Sequence, residues 1–159
     1  MEATERFASR AILLTPQEEI LLMKFQNPDT QYEFWITPGG GIEQNENPAI
    51  GLKRELYEEL GLENISIGPL VWNRTHEFEW EGRFLKQSEV FYLVRTEIFD
   101  PTNENMILGP ETRAFRNFKW WTVSEIELSN EVFAPRDMGI QLRNILTKGV
   151  PTEPMIVGV

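Results

Sequence analysis

Residues 40–62 read GGIEQNENPAIGLKRELYEELGL, and this stretch decides where the chain turns from loop into helix. Asn47 is a favourable N-cap residue, and Pro48 suits the first helical position, where its missing N–H costs nothing. Gly61 supplies the left-handed residue that commonly ends a helix. The stretch therefore predicts a helix over residues 48–60.

Three carboxylates lie on one face of this predicted helix. Glu55, Glu58 and Glu59 stand at positions i, i+3 and i+4, which are neighbours on a helix surface. Like charges this close repel, and they raise the pKa of at least one member. A hard divalent cation relieves the repulsion, and oxygen-only ligands favour Mg²⁺ or Mn²⁺ over zinc. The alternative is a solvated acidic face, but the preceding glycines favour a metal site.

A run of glycines leads directly into the helix, in the segment Thr37-Pro-Gly-Gly-Gly-Ile-Glu43. Glycine allows positive φ and close approach of a backbone to a ligand, whose phosphate can then meet backbone N–H groups. A triple glycine by itself is usually a flexible turn. Next to the carboxylate helix, Gly39 and Gly41 are instead predicted to contact the phosphates of a substrate.

These residues resemble the signature of the Nudix hydrolase family, G-x5-E-x7-R-E-U-x-E-E-x-G-U, where U is apolar. Every position is matched, by Gly40, Glu46, Arg54, Glu55, Leu56, Glu58, Glu59, Gly61 and Leu62. The resemblance implies an α/β (α+β) fold, the Nudix fold, in which a mixed β-sheet is sandwiched between helices. The domain is expected to cover residues 5–148, with residues 149–159 as a C-terminal tail.

The resemblance also implies a metal-dependent pyrophosphohydrolase that acts on a nucleoside diphosphate linked to another group. Glu55 and Glu59 are the expected metal ligands, Glu58 completes the cluster, and the backbone carbonyl of Gly39 or Gly40 is a further ligand. The implied cofactor is Mg²⁺ or Mn²⁺, which would neutralise phosphate charge and activate water.

The resemblance also implies a structural role for Arg54. Arg54 is expected to pair with Glu46 or Glu43 and so to hold the loop against the helix.

The general base is not identified by the motif alone. Family members often recruit an acidic residue from the loop before the late aromatic strand, which here gives Glu111. Glu89, on a predicted strand, is the rival, and Glu55 is the remaining catalytic candidate within the helix.

Substrate contacts are predicted from position. Most of the aromatic residues are expected to build the core, and core packing is the favoured role for any single one of them. Trp35 precedes the glycine loop, and Trp72, Phe78 and Trp80 lie on a predicted hairpin, so by position these rings are the better candidates to stack on a base. Arg83 and Lys86 could reach phosphate or could be ordinary edge-strand charges. His76 shares a strand face with Phe78 and Trp80, and it suits a structural or substrate contact better than metal ligation.

Composition narrows the function classes. The 159 residues carry a formal charge of −10, which disfavours nucleic acid as a partner because backbone binding needs clustered Lys and Arg. There is no cysteine, so disulfides and thiol catalysis are excluded. No signal peptide and no membrane-spanning run is evident, so a cytoplasmic protein with a small nucleotide substrate and no membrane partner is expected.

Several alternatives stay open. Nucleoside triphosphates, dinucleoside polyphosphates and nucleotide sugars are not distinguished, and neither is a monomer from a homodimer. RNA 5′-end hydrolysis is the macromolecular alternative, and a non-catalytic nucleotide-binding domain is the alternative from another class.

Strands are expected around the helix. Residues 7–14 and 20–25 are predicted to be two strands joined by a turn that contains Pro16, and residues 34–36 lead into the glycine loop. Alternation predicts a long hairpin from residues 65–80 and 83–95 around Glu81-Gly82. A further strand is expected at residues 115–122 and a terminal helix at residues 135–148, with a loop over residues 96–114.

Overall fold

The computed structural model describes residues 3–43, 45–102 and 114–158. Within these ranges the strands are β1 Thr4–Leu14, β2 Glu19–Gln26, β3 Glu33–Ile36, β4 Gly39–Gly41, β5 Leu70–Trp80, β6 Arg83–Arg95, β7 Phe115–Thr122, β8 Phe133–Ala134 and β9 Met155–Ile156. The helices are α1 Pro48–Leu60, α2 Val123–Leu128 and α3 Met138–Lys148.

All these strands join one mixed sheet in the order β8-β3-β2-β1-β6-β5-β9, with β4 paired to β1 and β7 paired to β2. The central pair is β1 and β6, which run parallel from Thr4↔Leu85 to Leu14↔Arg95. β4 lies antiparallel against residues 8–10 of β1. The glycine loop is therefore attached to the middle of the sheet.

The two faces of the sheet are covered by different helices. Along β1, Ala11 and Leu13 pack with Leu52, Leu56 and Leu60 of α1. The alternate residues Ile12 and Leu14 pack in the cluster that holds α2 and α3. Since side chains alternate across a strand, α1 covers one face and α2 with α3 the other. The predicted mixed sheet between helices is confirmed.

Helix α1 begins and ends where the sequence predicts. The Asn47 side chain accepts hydrogen bonds from the backbone N–H groups of Ala49 and Ile50, at 2.9 and 3.3 Å. Gly61 ends the helix with φ of 68°. The side-chain cap satisfies N–H groups that have no partner inside the helix. This local chemistry fixes the orientation of the three carboxylates.

The hairpin prediction is confirmed, but one boundary is wrong. Glu81 and Gly82 both have positive φ, 52° and 74°, as a tight hairpin turn requires. Strand β5 begins at Leu70 rather than at Ile65, because Ile65 and Ile67 pack onto the α1 cluster instead of pairing. The terminal helix likewise begins at Met138 rather than at residue 135.

The short elements α2, β8 and β9 were not predicted from the sequence. Helix α2 follows a capping box in which the side chains of Thr122 and Glu125 bond each other's backbone N–H. β8 and β9 are only two residues long each, too short to show a period.

The C-terminal segment packs on the same sheet. β9 pairs in parallel with β5, and the backbone N–H of Val157 donates to the carbonyl of Asn73 at 2.9 Å. The Val157 side chain is buried within the cluster beneath α3, while its neighbour Ile156 is 86% exposed. Val157 therefore contributes to the core of the domain.

We expect Val157→Ala to lower the free energy of unfolding by roughly 1–2 kcal/mol, because it removes buried methyl groups and leaves a cavity. Ile156→Ala, at the exposed neighbouring position, should stay within about 0.5 kcal/mol of the parent. Urea denaturation of both variants is the measurement. Equal effects at the two positions would contradict the packing of this segment.

Candidate active site

A cleft of about 1560 Å³ lies beside the glycine loop and is the larger of the two cavities described. One wall is formed by β4 and the carboxylate face of α1. The other is formed by alternate residues of three strands, which include Arg10 of β1, His76 of β5 and Glu89 of β6. Period-two alternation on neighbouring strands thus lines one continuous surface.

The glycine loop and helix α1 are in close contact. A Cβ atom on Gly40 would lie 2.6 Å from Oε2 of Glu55, so any side chain there would displace the carboxylate. Gly39 has φ of 138°, and its backbone N–H donates to Oε1 of Glu59 at 2.9 Å. The loop therefore positions two of the three predicted metal ligands.

Arg54 joins the loop to the carboxylate face. Its guanidinium donates to both carboxylate oxygens of Glu46, at 2.9 and 3.1 Å. It also donates to Glu55 at 3.1 Å and to Glu58 at 3.3 Å. The hydrogen bond from Arg54 lowers the pKa of Glu46. Of the two pairings expected for Arg54, the structure has the one with Glu46. The backbone N–H of Glu43 donates to the same Glu46 carboxylate at 3.0 Å.

The donor atoms of the carboxylate face match those that a hard metal ion prefers. In the described ranges, no three His, Cys, Asp or Glu side chains form a preassembled metal cage. The donor set is nevertheless oxygen-only, as Mg²⁺ and Mn²⁺ prefer. The Glu55 and Glu58 side chains are 16% and 27% exposed, and both line the cleft together with Glu59. The residues present fit a hard divalent cation after local adjustment of the carboxylates.

Glu89 lies deeper, with 3% of its side chain exposed. One carboxylate oxygen accepts from Nε of Arg10 at 2.7 Å, and the other accepts from Nη1 of Arg74. Burial alone would raise the pKa of Glu89, but the two guanidinium groups outweigh burial and lower it. The sequence prediction missed Arg10 and Arg74, although period-two alternation from His76 would have placed Arg74 on the same strand face.

Aromatic side chains form the far end of the cleft. Phe78 and Trp80 line it, and the Trp80 ring meets the Phe34 ring edge to face at a centroid distance of 6.3 Å. The base-stacking role predicted for Trp35 and Trp72 is wrong. Both are buried in the core, at 3% and 1% exposure, where they pack against other aromatic rings.

The two predicted phosphate contacts on β6, Arg83 and Lys86, lie on opposite faces of the strand. Arg83 lines the cleft, whereas Lys86 is exposed and absent from the cleft wall because it lies on the other face of β6. Gly39 and Gly41 line the cleft as well. Glu111, the predicted general base, lies outside the described residues.

The fold and the carboxylate helix agree with the family that residues 40–62 resemble. A family model described as the NUDIX domain matches residues 4–141. The chain therefore belongs to the Nudix family. Members of this family generally use divalent metals.

Individual relatives act on different substrates. An RNA pyrophosphohydrolase of Rickettsia bellii is 28% identical over 109 residues, which cover 62% of this chain and 64% of the relative. The diphosphoinositol polyphosphate phosphohydrolase 3-beta of Bos taurus is 31% identical over 117 residues, 70% of this chain and 66% of the relative. The chain thus spans slightly less than two thirds of these relatives.

A solved structure supports the fold. The MutT protein from Methanosarcina mazei Go1 superposes with a TM-score of 0.69 at 19% identity, over 92% of this chain and 99% of that chain. No described helix is both long and apolar enough to cross a membrane.

The surroundings of His76 make the stability of the fold depend on pH. Burial, followed by the nearby positive charge of Arg74, lowers the pKa of His76 from 6.5 to about 4. Between these values the unfolded chain binds a proton that the folded chain does not, so this residue destabilises the fold as pH falls through that window.

We expect His76→Gln to gain stability relative to the parent as pH falls from about 6.5 to about 4, and the difference should level off below that. Above pH ~7 the histidine is neutral in both states, so titration adds nothing there. Chemical denaturation across this pH range measures the difference. A difference that is constant with pH would show that His76 titrates normally.

Proposed function

We propose that this Nudix hydrolase cleaves a phosphoric anhydride bond in a small nucleotide, a nucleoside triphosphate or a similar compound, with Mg²⁺ or Mn²⁺ as cofactor. The proposed metal ligands are Glu55, Glu58 and Glu59, with the backbone carbonyl of Gly40. When bound, the cation neutralises charge on the phosphate oxygens and makes the phosphorus more susceptible to attack by water.

The observation that carries the proposal is the placement of the carboxylate face. Glu55 and Glu59 contact the glycine loop directly, and they line the cleft with Glu58. Three carboxylates gathered at one wall of a large cleft cost stability through mutual repulsion, which Arg54 only partly offsets. A cation-binding function accounts for an arrangement that stability alone would not favour.

Charge in the cleft supports the same conclusion. Among the described residues that line it, nine carry a carboxylate and six carry a guanidinium group. A polyphosphate entering this cleft meets an excess of negative charge. Bound divalent cations reverse the sign of the local field, so an acidic protein can bind an acidic substrate.

The chain's own groups can orient the substrate along the cleft. Arg83 is exposed at the cleft wall and is proposed to contact a phosphate. The backbone at Gly39 and Gly41 is proposed to lie along the phosphates. Phe78 and Trp80 are half-buried at the aromatic end, and an aromatic ring with a free face can stack on a nucleobase.

Glu111 remains the proposed general base, on the resemblance alone. Glu89 is a weaker candidate for that role, because both its oxygens accept from guanidinium groups and its pKa is lowered. A base with a lowered pKa removes a proton from water less effectively.

RNA 5′-end hydrolysis is the second candidate, favoured by the relatives named RNA pyrophosphohydrolase. The formal charge of −10 counts against it, since RNA backbone binding depends on clustered Lys and Arg. A non-catalytic binding domain is less consistent with a complete set of box glutamates.

We expect Glu59→Gln to lower hydrolysis more than about 100-fold, because it removes a charged ligand where transition-state charge develops. The variant should keep its fold by circular dichroism. Mg²⁺ or Mn²⁺ should raise the melting temperature of the parent, which binds the ion in its folded state, more than that of the variant.

Glu63→Gln, an exposed residue just beyond α1, is the matched control and should leave turnover unchanged. Full activity of the parent in excess chelator, or undiminished turnover by Glu59→Gln, would remove the proposed metal mechanism.

We also expect small nucleotides to be hydrolysed far better than a short RNA with a 5′-triphosphate. The chain has 15 Lys and Arg against 25 Asp and Glu, and the six guanidinium groups along the described cleft wall are outnumbered there by nine carboxylates, which disfavours binding of an RNA backbone. Competition between the RNA and a matched free nucleotide measures the preference. A preference for RNA that falls steeply with added salt would favour the second candidate instead.

A further inference from the structure

Glu89 connects three strands of the sheet at one wall of the cleft. It lies on β6, between Arg10 of β1 and Arg74 of β5; Glu89 and Arg74 are buried, with 3% and 7% of their side chains exposed, and Arg10 is partly buried, with 12% exposed. Burial is the main cause that lowers the pKa of Arg74, and the nearby charge of Arg10 lowers it further. Glu89 therefore holds together two like charges that would otherwise repel.

Arg10 also reaches the glycine loop. Its Nη1 donates to the carbonyl oxygen of Gly39 at 3.2 Å and to that of Thr37 at 3.4 Å, while its Nε donates to Glu89. Gly39 in turn donates its backbone N–H to Oε1 of Glu59. Arg10, held by Glu89, thus contacts the carbonyl groups on both sides of the Pro38–Gly39 peptide, and the N–H of that peptide donates to Glu59.

We propose that Glu89 is a positioning residue, which acts through Arg10 to hold the Thr37 and Gly39 carbonyl groups on both sides of the Pro38–Gly39 peptide, and thereby orients Glu59, which accepts from the N–H of that peptide at the cleft. This inference rests on the proposed function only in treating Glu59 as part of the catalytic centre. It assigns Glu89 neither a proton-transfer step nor a contact with substrate.

The physical consequence of losing the Glu89 charge follows from the two arginines. With a neutral side chain at this position, Arg10 and Arg74 face each other without a shared counter-ion, in a buried region where repulsion is weakly screened. Arg10 is then expected to move away from Arg74 and to release the Gly39 carbonyl. Groups that orient a ligand residue typically change activity about 10- to 100-fold when they are removed.

The Gly39 amide provides a test that needs no substrate or metal. In Glu89→Gln and in Arg10→Lys, hydrogen exchange of the Gly39 N–H, followed by NMR, should accelerate at least about 10-fold, because Arg10 no longer restrains the carbonyl groups on both sides of its peptide. Lysine at position 10 keeps the charge beside Glu89 but lacks the fork that also reaches the loop. Glu79→Gln, an exposed residue on β5, is the control and should leave this exchange unchanged.

Kinetics separate positioning from proton transfer. Glu89→Gln and Arg10→Lys should each lower kcat about 10- to 100-fold with little change in KM, and the double variant should lose little more than either alone. The acid limb of the kcat profile against pH should persist in Glu89→Gln. Disappearance of that limb would make Glu89 the general base and overturn the inference. Losses of kcat that multiply in the double variant would also overturn it, because they would show that the two residues act independently.

The two proposals can fail separately. Unchanged Gly39 exchange in Arg10→Lys overturns the positioning role, whatever the hydrolysis rates are. An inactive parent enzyme across nucleotides and metals overturns the proposed function, and the exchange measurement still decides the role of Glu89. If Glu89→Gln does not fold by near-ultraviolet circular dichroism, Arg10→Lys decides it, because that variant leaves the Arg74 contact with Glu89 in place.

Discussion

The contact between the glycine loop and helix α1 is the constraint on which the site depends. The Glu55 carboxylate lies so close to Gly40 that a Cβ atom there would be 2.6 Å from it. The loop is also one strand of the sheet, paired with residues 8–10 of β1. Glycine at position 40 therefore allows the sheet and the carboxylate face of α1 to lie in direct contact.

Guanidinium groups make this concentration of carboxylates tolerable. Arg54 contacts Glu46, Glu55 and Glu58 at the cleft surface, where solvent screens the charges and the arrangement can adjust to a ligand. The Glu89 pair with Arg10 and Arg74 is buried, so its geometry is more strongly fixed. The site thus combines an adjustable set of charges at the surface with a rigid set behind it.

Local features were predictable from the sequence, and contacts between distant residues were not. The caps at Asn47 and Gly61 and the turn at Glu81-Gly82 depend on neighbouring residues alone, and all of them form. The contact of Arg10 with Glu89 spans 79 positions and requires parallel pairing of β1 with β6, which no short pattern encodes.

The base-stacking prediction for Trp35 and Trp72 was wrong for a related reason. Trp72 and Trp80 lie on the same face of β5, but Trp72 packs in the core cluster that also holds Trp35, α2 and α3, whereas Trp80 lines the cleft farther along the strand. Alternation says which residues share a face and not which part of that face is covered. The covered part depends on where α2 and α3 pack, and α2 was not predicted from the sequence.

The C-terminal segment extends the same reasoning beyond the family match. Residues 155–158 lie outside the matched range of 4–141, yet Nε of Arg74 donates to the Gly158 carbonyl at 3.1 Å. The same guanidinium contacts Glu89 through Nη1. A segment that carries none of the family signature therefore fixes one end of the charged cluster behind the glycine loop. Because the position of the glycine loop depends on that cluster, substitutions in residues 155–158 can change the geometry of the proposed site without replacing any of its residues.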